Sequence, residues 1–158
     1  PGFLRLTALP APRHCEARNT LTQKIWDTCG RVDVKLDLSG LAEGQQAGFA
    51  FLNADEFGWV GVQRTGGVNR IVFGPAADGP AETVTGSTVW LRGEYADETT
   101  KLHYSLDGRS YTRAPVRFRL RFAGWKAPRL GLYSFGCDGG HADFDYFHFK
   151  YGATLPDL

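Results

Sequence analysis

The sequence predicts an all-β sandwich of two antiparallel sheets. Apolar and polar residues alternate with a period of two along several short segments, and no segment shows a convincing helical period. Glycine-rich and polar turn signals separate these segments. Roughly ten to twelve short strands fit two stacked sheets, because one sheet could not bury both of its faces. The 158 residues are predicted to form one domain over 1–158.

The composition offers no electrostatic surface for an anionic partner. Lys and Arg number 18 against 17 Asp and Glu, which leaves a net charge of +1. Neither nucleic acid nor a membrane surface is therefore expected as a partner. No stretch approaches the roughly 20 apolar residues that cross a bilayer. The chain lacks Met and begins strand-like over 1–6, which favours a piece excised from a longer protein.

The cysteines do not indicate whether the protein resides in a reducing or an oxidising compartment. Cys15, Cys29 and Cys137 match no zinc or redox spacing, and three cysteines cannot all pair with one another. Free thiols are the expectation, with one disulfide as the alternative. Both a cytoplasmic and a secreted location remain compatible with the sequence.

Alternation is clearest in two segments, 32–38 and 101–106. In the first, Val and Leu alternate with Asp and Lys, as in a half-buried antiparallel strand. Leu102, Tyr104 and Leu106 form the apolar set of the second. Polar or glycine-rich reversals are predicted at 65–68, 96–99 and 107–108. A long surface loop is predicted at 74–80.

Three predicted strands separate a core-facing set from an outward set. On the first, Val60 and Val62 face the core, which places Trp59, Gly61 and Gln63 outward. The other outward sets are Gly131, Tyr133 and Phe135, opposite Leu130 and Leu132, and Trp90, Arg92 and Glu94, opposite Leu91 and Tyr95. Such a mixture suits sugars, because a pyranose stacks its C–H face on an aromatic ring while amide and guanidinium groups bond its hydroxyls. The alternative is that the rings pack under a loop or against a neighbouring domain.

Catalytic motifs are not found in the sequence. It contains no phosphate-binding loop, HExxH or nucleophile elbow. The acidic pairs at 55–56 and 97–98 lie in turn-like runs, where solvated charge is expected rather than glycosidase chemistry. The histidines are interpreted as surface or loop residues: His14, His103, His141 and His148.

One acidic pair lies within a predicted strand. Asp143 and Asp145 alternate in 141–151, so both carboxylates are expected to point the same way. They could contribute to a structural Ca²⁺ site, which takes about six to eight oxygen ligands. Hydrogen bonding to turn amides is the favoured alternative. No other cofactor is expected.

Eight segments, taken in order, resemble one known family. They are 17–24, 34–37, 44–48, 59–62, 88–92, 104–108, 129–134 and 143–147. Together they resemble the C-terminal module of glycoside hydrolase family 43 (GH43) enzymes over nearly the whole chain. Cys15 and Cys137 are not features of that family.

The resemblance implies a concanavalin A-like jelly roll attached to a β-xylosidase or α-L-arabinofuranosidase. Such modules are grouped as carbohydrate-binding module family 91, which implies xylan or xylooligosaccharide as the ligand. The resemblance also implies packing on a five-bladed catalytic propeller that carries the catalytic carboxylates. A loop that matches Arg13–Asn19 would help to wall the active site of that propeller.

Two functions follow from the residues and the resemblance together. The first is a non-catalytic xylan-binding module, and its predicted contacts fall into two sets. Stacking rings are Trp59, Trp90, Tyr133 and Phe135, and hydroxyl partners are Arg18, Asn19, Gln23 and Gln63. The second is a structural module that stabilises the propeller and completes its substrate pocket without binding sugar itself. A free-standing enzyme is not expected.

Overall fold

The fold is built almost entirely of strands, as the period-two alternation predicts. The structure, a computed structural model, describes residues 2–75 and 82–152. The strands within these ranges are β1 (Leu4–Thr7), β2 (Thr20–Lys24), β3 (Cys29–Asp37), β4 (Gln46–Asn53), β5 (Glu56–Thr65), β6 (Val68–Gly74), β7 (Thr83–Val84), β8 (Thr88–Ala96), β9 (Thr99–Ser105), β10 (Thr112–Arg113), β11 (Arg129–Phe135) and β12 (His141–Tyr151). A short 3-10 helix covers His14–Glu16.

These strands form two six-stranded antiparallel sheets. The first sheet has the order β1-β12-β3-β8-β9-β10, and the second sheet has the order β2-β11-β4-β5-β6-β7. The predicted all-β sandwich of two antiparallel sheets is confirmed. Because β1 belongs to the first sheet and β2 to the second, the segment that joins them passes from one sheet to the other.

The core lies between the sheets and contains the predicted inward sets. Val32, Val34 and Leu36 of β3 are buried, while Asp33 and Lys35 between them face outward. The inward positions predicted on β5, β8 and β11 are likewise buried: Val60, Val62, Leu91, Tyr95, Leu130 and Leu132. Burial between the sheets removes these apolar side chains from water, so the alternation determines which face of each strand packs against the other sheet.

The predicted reversals are tight turns. Gly66 and Gly67 both have a left-handed φ, of 61° and 74°, in the two-residue connection between Thr65 and Val68. Asp97 likewise turns the chain between β8 and β9 with a φ of 50°. Residues 76–81 lie outside the described residues, so most of the loop predicted at 74–80 does too.

One inward assignment on β9 is wrong. The strand ends at Ser105, and Leu106 is exposed beyond it. The Asp107 carboxylate accepts backbone hydrogen bonds from Arg109 and Ser110, which turns the chain away from the core at this point.

Candidate functional site

Five aromatic rings meet on the outer face of the second sheet. Phe57 and Trp59 project from β5, Tyr133 and Phe135 project from β11, and His14 covers them from the 3-10 helix. The His14 ring centroid lies 4.4 Å from that of Trp59, 4.6 Å from Tyr133 and 4.8 Å from Phe135. We call these five residues the aromatic cluster. Its four sheet residues follow from alternation, because Val60 and Leu132 occupy the inward positions next to them.

The loop that carries His14 closes over this face. Arg13 and Glu16 form an ion pair across the short helix, with Nε of Arg13 2.8 Å from Oε1 of Glu16. The loop buries Tyr133 completely and leaves Phe135 only 5% exposed. The chain itself covers the two rings predicted to stack on a sugar, so neither presents a face to solvent in this structure. The alternative of packing under a loop describes both rings.

Two glycines make room for the buried tyrosine. Gly48 of β4 pairs with Gly61 of β5, and the Tyr133 hydroxyl lies against both. A Cβ on Gly61 would lie 2.5 Å from that hydroxyl oxygen. Gln46 donates a hydrogen bond of 3.3 Å to the same oxygen. Burial raises the pKa of Tyr133, so the phenol is neutral.

A cleft of about 350 Å³ opens beside the aromatic cluster. Its functional groups come from Arg13, His14, Gln46, Trp59 and Gln63, and its remaining lining residues are Ala11, Pro12, Gly44, Phe135 and Gly136. Trp59 is only half-buried, so part of its indole remains at the surface. Gln46 and Gln63 are paired across β4 and β5, which places both amides at one side of the cleft.

The cleft is polar but nearly uncharged. Burial lowers the pKa of His14 to about 4, so its imidazole is neutral near pH 7. The two amides offer both hydrogen-bond donors and acceptors, and Arg13 supplies the cationic group of the lining. An aromatic wall with neutral amides and one guanidinium can hold a hydroxyl-rich ligand, and it offers no acid/base pair for hydrolysis.

The structure brings Trp59 and Gln63 to this cleft, but it places the other predicted hydroxyl partners elsewhere. Arg18 is exposed beyond the helix. The Asn19 side chain donates to the Thr7 carbonyl. Gln23 pairs with Leu130, whose side chain is inward, and it lines a separate groove at the edge of the sandwich. The set predicted as one site is therefore divided.

Trp90 lies on the opposite side of the molecule. It belongs to β8 of the first sheet, where Val89 and Leu91 are buried and Trp90 faces outward against Gly108. Trp90 faces outward as predicted, but Trp90 and Trp59 lie on different sheets, so the structure does not bring them together in one site. Alternation within a strand shows which residues face outward and leaves open to which sheet the strand belongs.

The two carboxylates proposed as Ca²⁺ ligands form ion pairs with basic side chains of the same chain. Asp143 accepts two hydrogen bonds from Arg5, of 2.8 and 2.7 Å. Asp145 lies at a register shift in β12 and accepts a bond of 2.7 Å from Lys35. Within residues 2–75 and 82–152, no group of three or more His, Cys, Asp or Glu side chains is placed to hold a metal ion. Arginine hydrogen bonding lowers the pKa of Asp143.

Three functional residues of the cleft are absent from the predicted contacts: Arg13, His14 and Gln46. Arg13 lies in the loop that the family resemblance implies. His14 was interpreted as a surface or loop residue, and it is instead the central ring of the aromatic cluster. Gln46 was not singled out, although it precedes Ala47 in a strand whose apolar residues predict its outward direction. The loop position of His14 carries no periodic signal that could have revealed its contacts. The three cysteines are free.

Comparison with known proteins identifies the family. A model described as the β-xylosidase C-terminal concanavalin A-like domain matches residues 1–150. The chain is 32% identical over 143 residues to a β-xylosidase of Formosa agariphila, and the match covers 85% of this chain and 24% of that protein. The chain thus spans about a quarter of the length of the curated relative that it matches.

Solved structures agree with this match. A bifunctional GH43-CE protein of Bacteroides eggerthii superposes with a TM-score of 0.83 at 26% identity, covering 97% of this chain and 21% of that one. A GH43 glycoside hydrolase whose active site was engineered to display both endo-xylanase and exo-arabinofuranosidase activity superposes with a TM-score of 0.82 at 28% identity, covering 94% of this chain and 34% of that one. In the described residues, no helix has the length and apolar character needed to span a membrane. The catalytic site of GH43 enzymes lies in a separate domain, and this chain belongs to the family of their C-terminal concanavalin A-like domains.

Proposed function

We propose that this domain binds xylan or xylooligosaccharide in the cleft, as the non-catalytic module of a longer GH43 enzyme. The observation that carries the proposal is the convergence of the Trp59 indole, the Gln46 and Gln63 amides and the Arg13 guanidinium on one cleft. The names of the relatives support the ligand class, because they include a β-xylosidase and a GH43 enzyme engineered to display endo-xylanase activity.

The physical argument concerns the two surfaces of a xylose unit. Its C–H face is apolar and gains from contact with the exposed part of the Trp59 indole. Its hydroxyls need partners that both donate and accept, and the amides of Gln46 and Gln63 do both. The volume of about 350 Å³ lies at the low end of the roughly 300–1,000 Å³ typical of ligand pockets. One ring wall and a few hydrogen bonds give a modest affinity, with Kd of order 10–1,000 μM.

Affinity electrophoresis in gels containing soluble xylan tests the proposal. The domain should be retarded, and Trp59→Ala and Gln63→Ala should each reduce the retardation. Trp90→Ala is the matched control, since it removes an outward tryptophan from the other sheet. An unretarded domain, or equal retardation of wild type and Trp59→Ala, would contradict sugar binding at the cleft.

A second function, docking on the catalytic domain of the parent enzyme, is favoured by a different surface. An apolar groove of about 340 Å³ lies at the edge of the sandwich, where β1 and β2 end their sheets. We call it the edge groove, and its lining includes Leu4, Leu21 and Phe147. Leu4 and Leu21 are exposed, at 40% and 53%. Exposed apolar side chains of this kind are typical of interaction surfaces.

Docking is tested in the parent enzyme. Leu21→Ser should lower the melting temperature of the catalytic domain and its activity, while Leu106→Ser, at another exposed leucine, should change neither. Co-expression of the catalytic domain with and without this module gives the direct comparison. Equal activity and equal melting temperature in both preparations would count against the structural function.

A further inference from the structure

A small cavity of about 80 Å³ lies on the outer face of the second sheet. We call it the basic pocket. Its lining residues come from β2, from the end of β4 and from the chain that leads into β11: Thr22, Leu52, Ala54, Lys126, Ala127 and Arg129. Leu52 also packs with Tyr133 and Phe135, which places the pocket next to the aromatic cluster. Two of the lining residues are cationic and none is acidic, whereas the cleft is nearly uncharged.

Arg129 is half-buried and lacks an anionic partner. Its Nη1 donates a hydrogen bond of 3.3 Å to the Thr22 hydroxyl. Its Nε–H is buried without a hydrogen-bond acceptor in the part of the chain that the structure describes. Among the same residues, no ion pair includes Arg129. A buried donor on a charged group is costly when it is left without an acceptor, so an anion bound here would recover free energy.

Arg5 shows the geometry that an arginine of this chain adopts with a carboxylate. Its Nε and Nη2 each donate to one oxygen of Asp143, at 2.8 and 2.7 Å. Two parallel bonds of this kind match the planar guanidinium to the two oxygens of a carboxylate. In Arg129 the bond to Thr22 uses Nη1, so the corresponding edge of Nε and Nη2 is left for a ligand. The chemistry of this edge favours a carboxylate.

Neighbouring lysines strengthen the preference for an anion. Lys24 is paired directly with Arg129 across β2 and β11, so both side chains extend from the same face of the sheet. Like charges in directly opposite positions repel each other. Lys126 adds a further cation to the lining. In residues 2–75 and 82–152 neither lysine forms an ion pair within the pocket, so an anion there would reduce the repulsion among all three cations.

Size and position limit the ligand further. The volume of about 80 Å³ is well below the roughly 300 Å³ at which pockets for whole small molecules begin, so the basic pocket admits a carboxylate group but not the ring that carries it. Trp59 pairs with Ala50 of β4, and Leu52, two residues further along, pairs with Arg129. From the strand spacing and the rise per residue, the Cα atoms of Trp59 and Arg129 lie roughly 12 Å apart. A branched sugar chain on the Trp59 indole can therefore extend a side group to Arg129.

We propose that the basic pocket binds the carboxylate of a uronic acid side group of xylan, with Arg129 as the main contact and Thr22 and Lys126 beside it. A uronic acid carries its carboxylate on a pyranose ring, which stays outside the pocket while the carboxylate enters. The choice of xylan rests on the proposed function, whereas the carboxylate site rests on the pocket alone. The experiment therefore has one arm without polymer and one arm with polymer.

NMR titration with sodium glucuronate tests the carboxylate site without polymer. The Nε–H signal of Arg129, assigned with Arg129→Met, should shift and saturate, while glucose in sodium chloride of equal ionic strength should leave it in place. Arg129→Lys keeps the charge and loses the planar fork. Its affinity for glucuronate should fall by about tenfold, as expected when one charge-assisted hydrogen bond is lost. An Nε–H signal that glucuronate leaves in place, or that sodium chloride shifts equally, would overturn the proposal.

Affinity electrophoresis with two forms of one polymer tests the source of the carboxylate. Glucuronoxylan should retard the wild type more than the same polymer with its carboxyl groups reduced to alcohols, and Arg129→Met should remove this difference. Arg109→Met is the matched control, because it changes the net charge equally and Arg109 is exposed on the β9–β10 connection. Equal, measurable retardation of the wild type in both polymers would overturn the uronic acid as the occupant.

The two arms separate this proposal from the proposed function. Retardation that depends on Trp59 but not on the carboxyl groups of the polymer overturns the basic pocket alone. A shift of the Arg129 signal with glucuronate, without retardation in either polymer, supports the carboxylate site and contradicts the cleft. If glucuronate has no effect and Arg129→Met instead lowers the melting temperature of the catalytic domain in the parent enzyme, the occupant is a carboxylate of that domain and the proposal is overturned.

Discussion

The imidazole of His14 stacks on the indole of Trp59, with ring centroids 4.4 Å apart and an angle of 29° between the planes. This contact joins the loop that crosses the second sheet to the face on which a ligand would lie. It also leaves one part of the Trp59 surface in the cleft and covers another. The loop therefore shapes the proposed binding site, and the protonation state of His14 affects the stability of the domain.

Removal of the His14 ring should destabilise the domain. His14→Ala deletes contacts with Trp59, Tyr133 and Phe135 and should lower the free energy of unfolding by about 1–3 kcal/mol. Urea denaturation measures the change. His148→Ala is the control, since the exposed His148 ring stacks on Tyr146 at a similar 4.3 Å and should lose well under about 1 kcal/mol. Equal losses in the two variants would mean that the loop adds nothing by packing on the sheet.

The stability of the domain with the His14 loop docked should decrease as the pH falls. Burial lowers the pKa of His14 from 6.5 to about 4 in the folded protein. Between these pH values His14 is protonated in the unfolded chain but not in the folded chain. The contribution of neutral His14 to stability is therefore fully present above pH 6.5 and declines towards pH 4. The decline is up to about 3 kcal/mol, at 1.4 kcal/mol per pH unit.

His14→Phe isolates this contribution, because it keeps an aromatic ring and removes the titration. Burial also lowers the pKa of His103, and that contribution remains in both proteins. Melting temperatures of wild type and His14→Phe should converge at pH 7.5 and diverge towards pH 4.5, with the wild type falling faster. Parallel pH profiles would show that His14 is not buried as neutral imidazole.

The sequence predicted the fold better than the site, for a physical reason. Alternation reports which side of a strand is buried, and Val60, Leu91 and Leu130 all face inward as predicted. It does not report which strands become neighbours, so Trp90 was grouped with Trp59 although they lie on different sheets. Alternation also gives no information about the contacts that loops make. The burial of Tyr133 depends on the loop that places His14.

The pair of glycines beneath Tyr133 gives a prediction about packing. A Cβ on Gly61 would overlap the backbone carbonyl oxygen of Ala47 and would lie 2.5 Å from the Tyr133 hydroxyl. Gly61→Ala should therefore cost at least about 1–3 kcal/mol, because both the backbone of β4 at Ala47 and the Tyr133 phenol must shift in a closely packed site. Chemical denaturation would measure this. Gly86→Ala is the control, since the nearest heavy atom to its Cβ would be the Thr88 nitrogen at 3.9 Å. If Gly61→Ala is as stable as Gly86→Ala, the phenol has room that the structure does not show.

The ion pair between Arg5 and Asp143 should stabilise β1 on β12 without metal. Asp143→Asn should lower the melting temperature by a few degrees, and Asp145→Asn should lower it less because the Asp145 carboxylate is more exposed and accepts one hydrogen bond rather than two. Arginine hydrogen bonding lowers the pKa of Asp143, so its contribution is present near neutral pH and is lost as the pH falls through that pKa. Addition of Ca²⁺ or EDTA should leave the melting temperature of wild type unchanged. A rise in melting temperature with Ca²⁺, abolished by Asp143→Asn, would restore the calcium hypothesis.

The central claim, sugar binding in the cleft, is tested most directly by NMR titration with a xylooligosaccharide. The indole N–H signal of Trp59, assigned with Trp59→Phe, and the side-chain amide signals of Gln46 and Gln63 should shift together and saturate with a Kd of order 10–1,000 μM. The indole signal of Trp90, on the other sheet, should stay in place. Unmoved Trp59, Gln46 and Gln63 signals in a folded domain at saturating sugar would contradict the account.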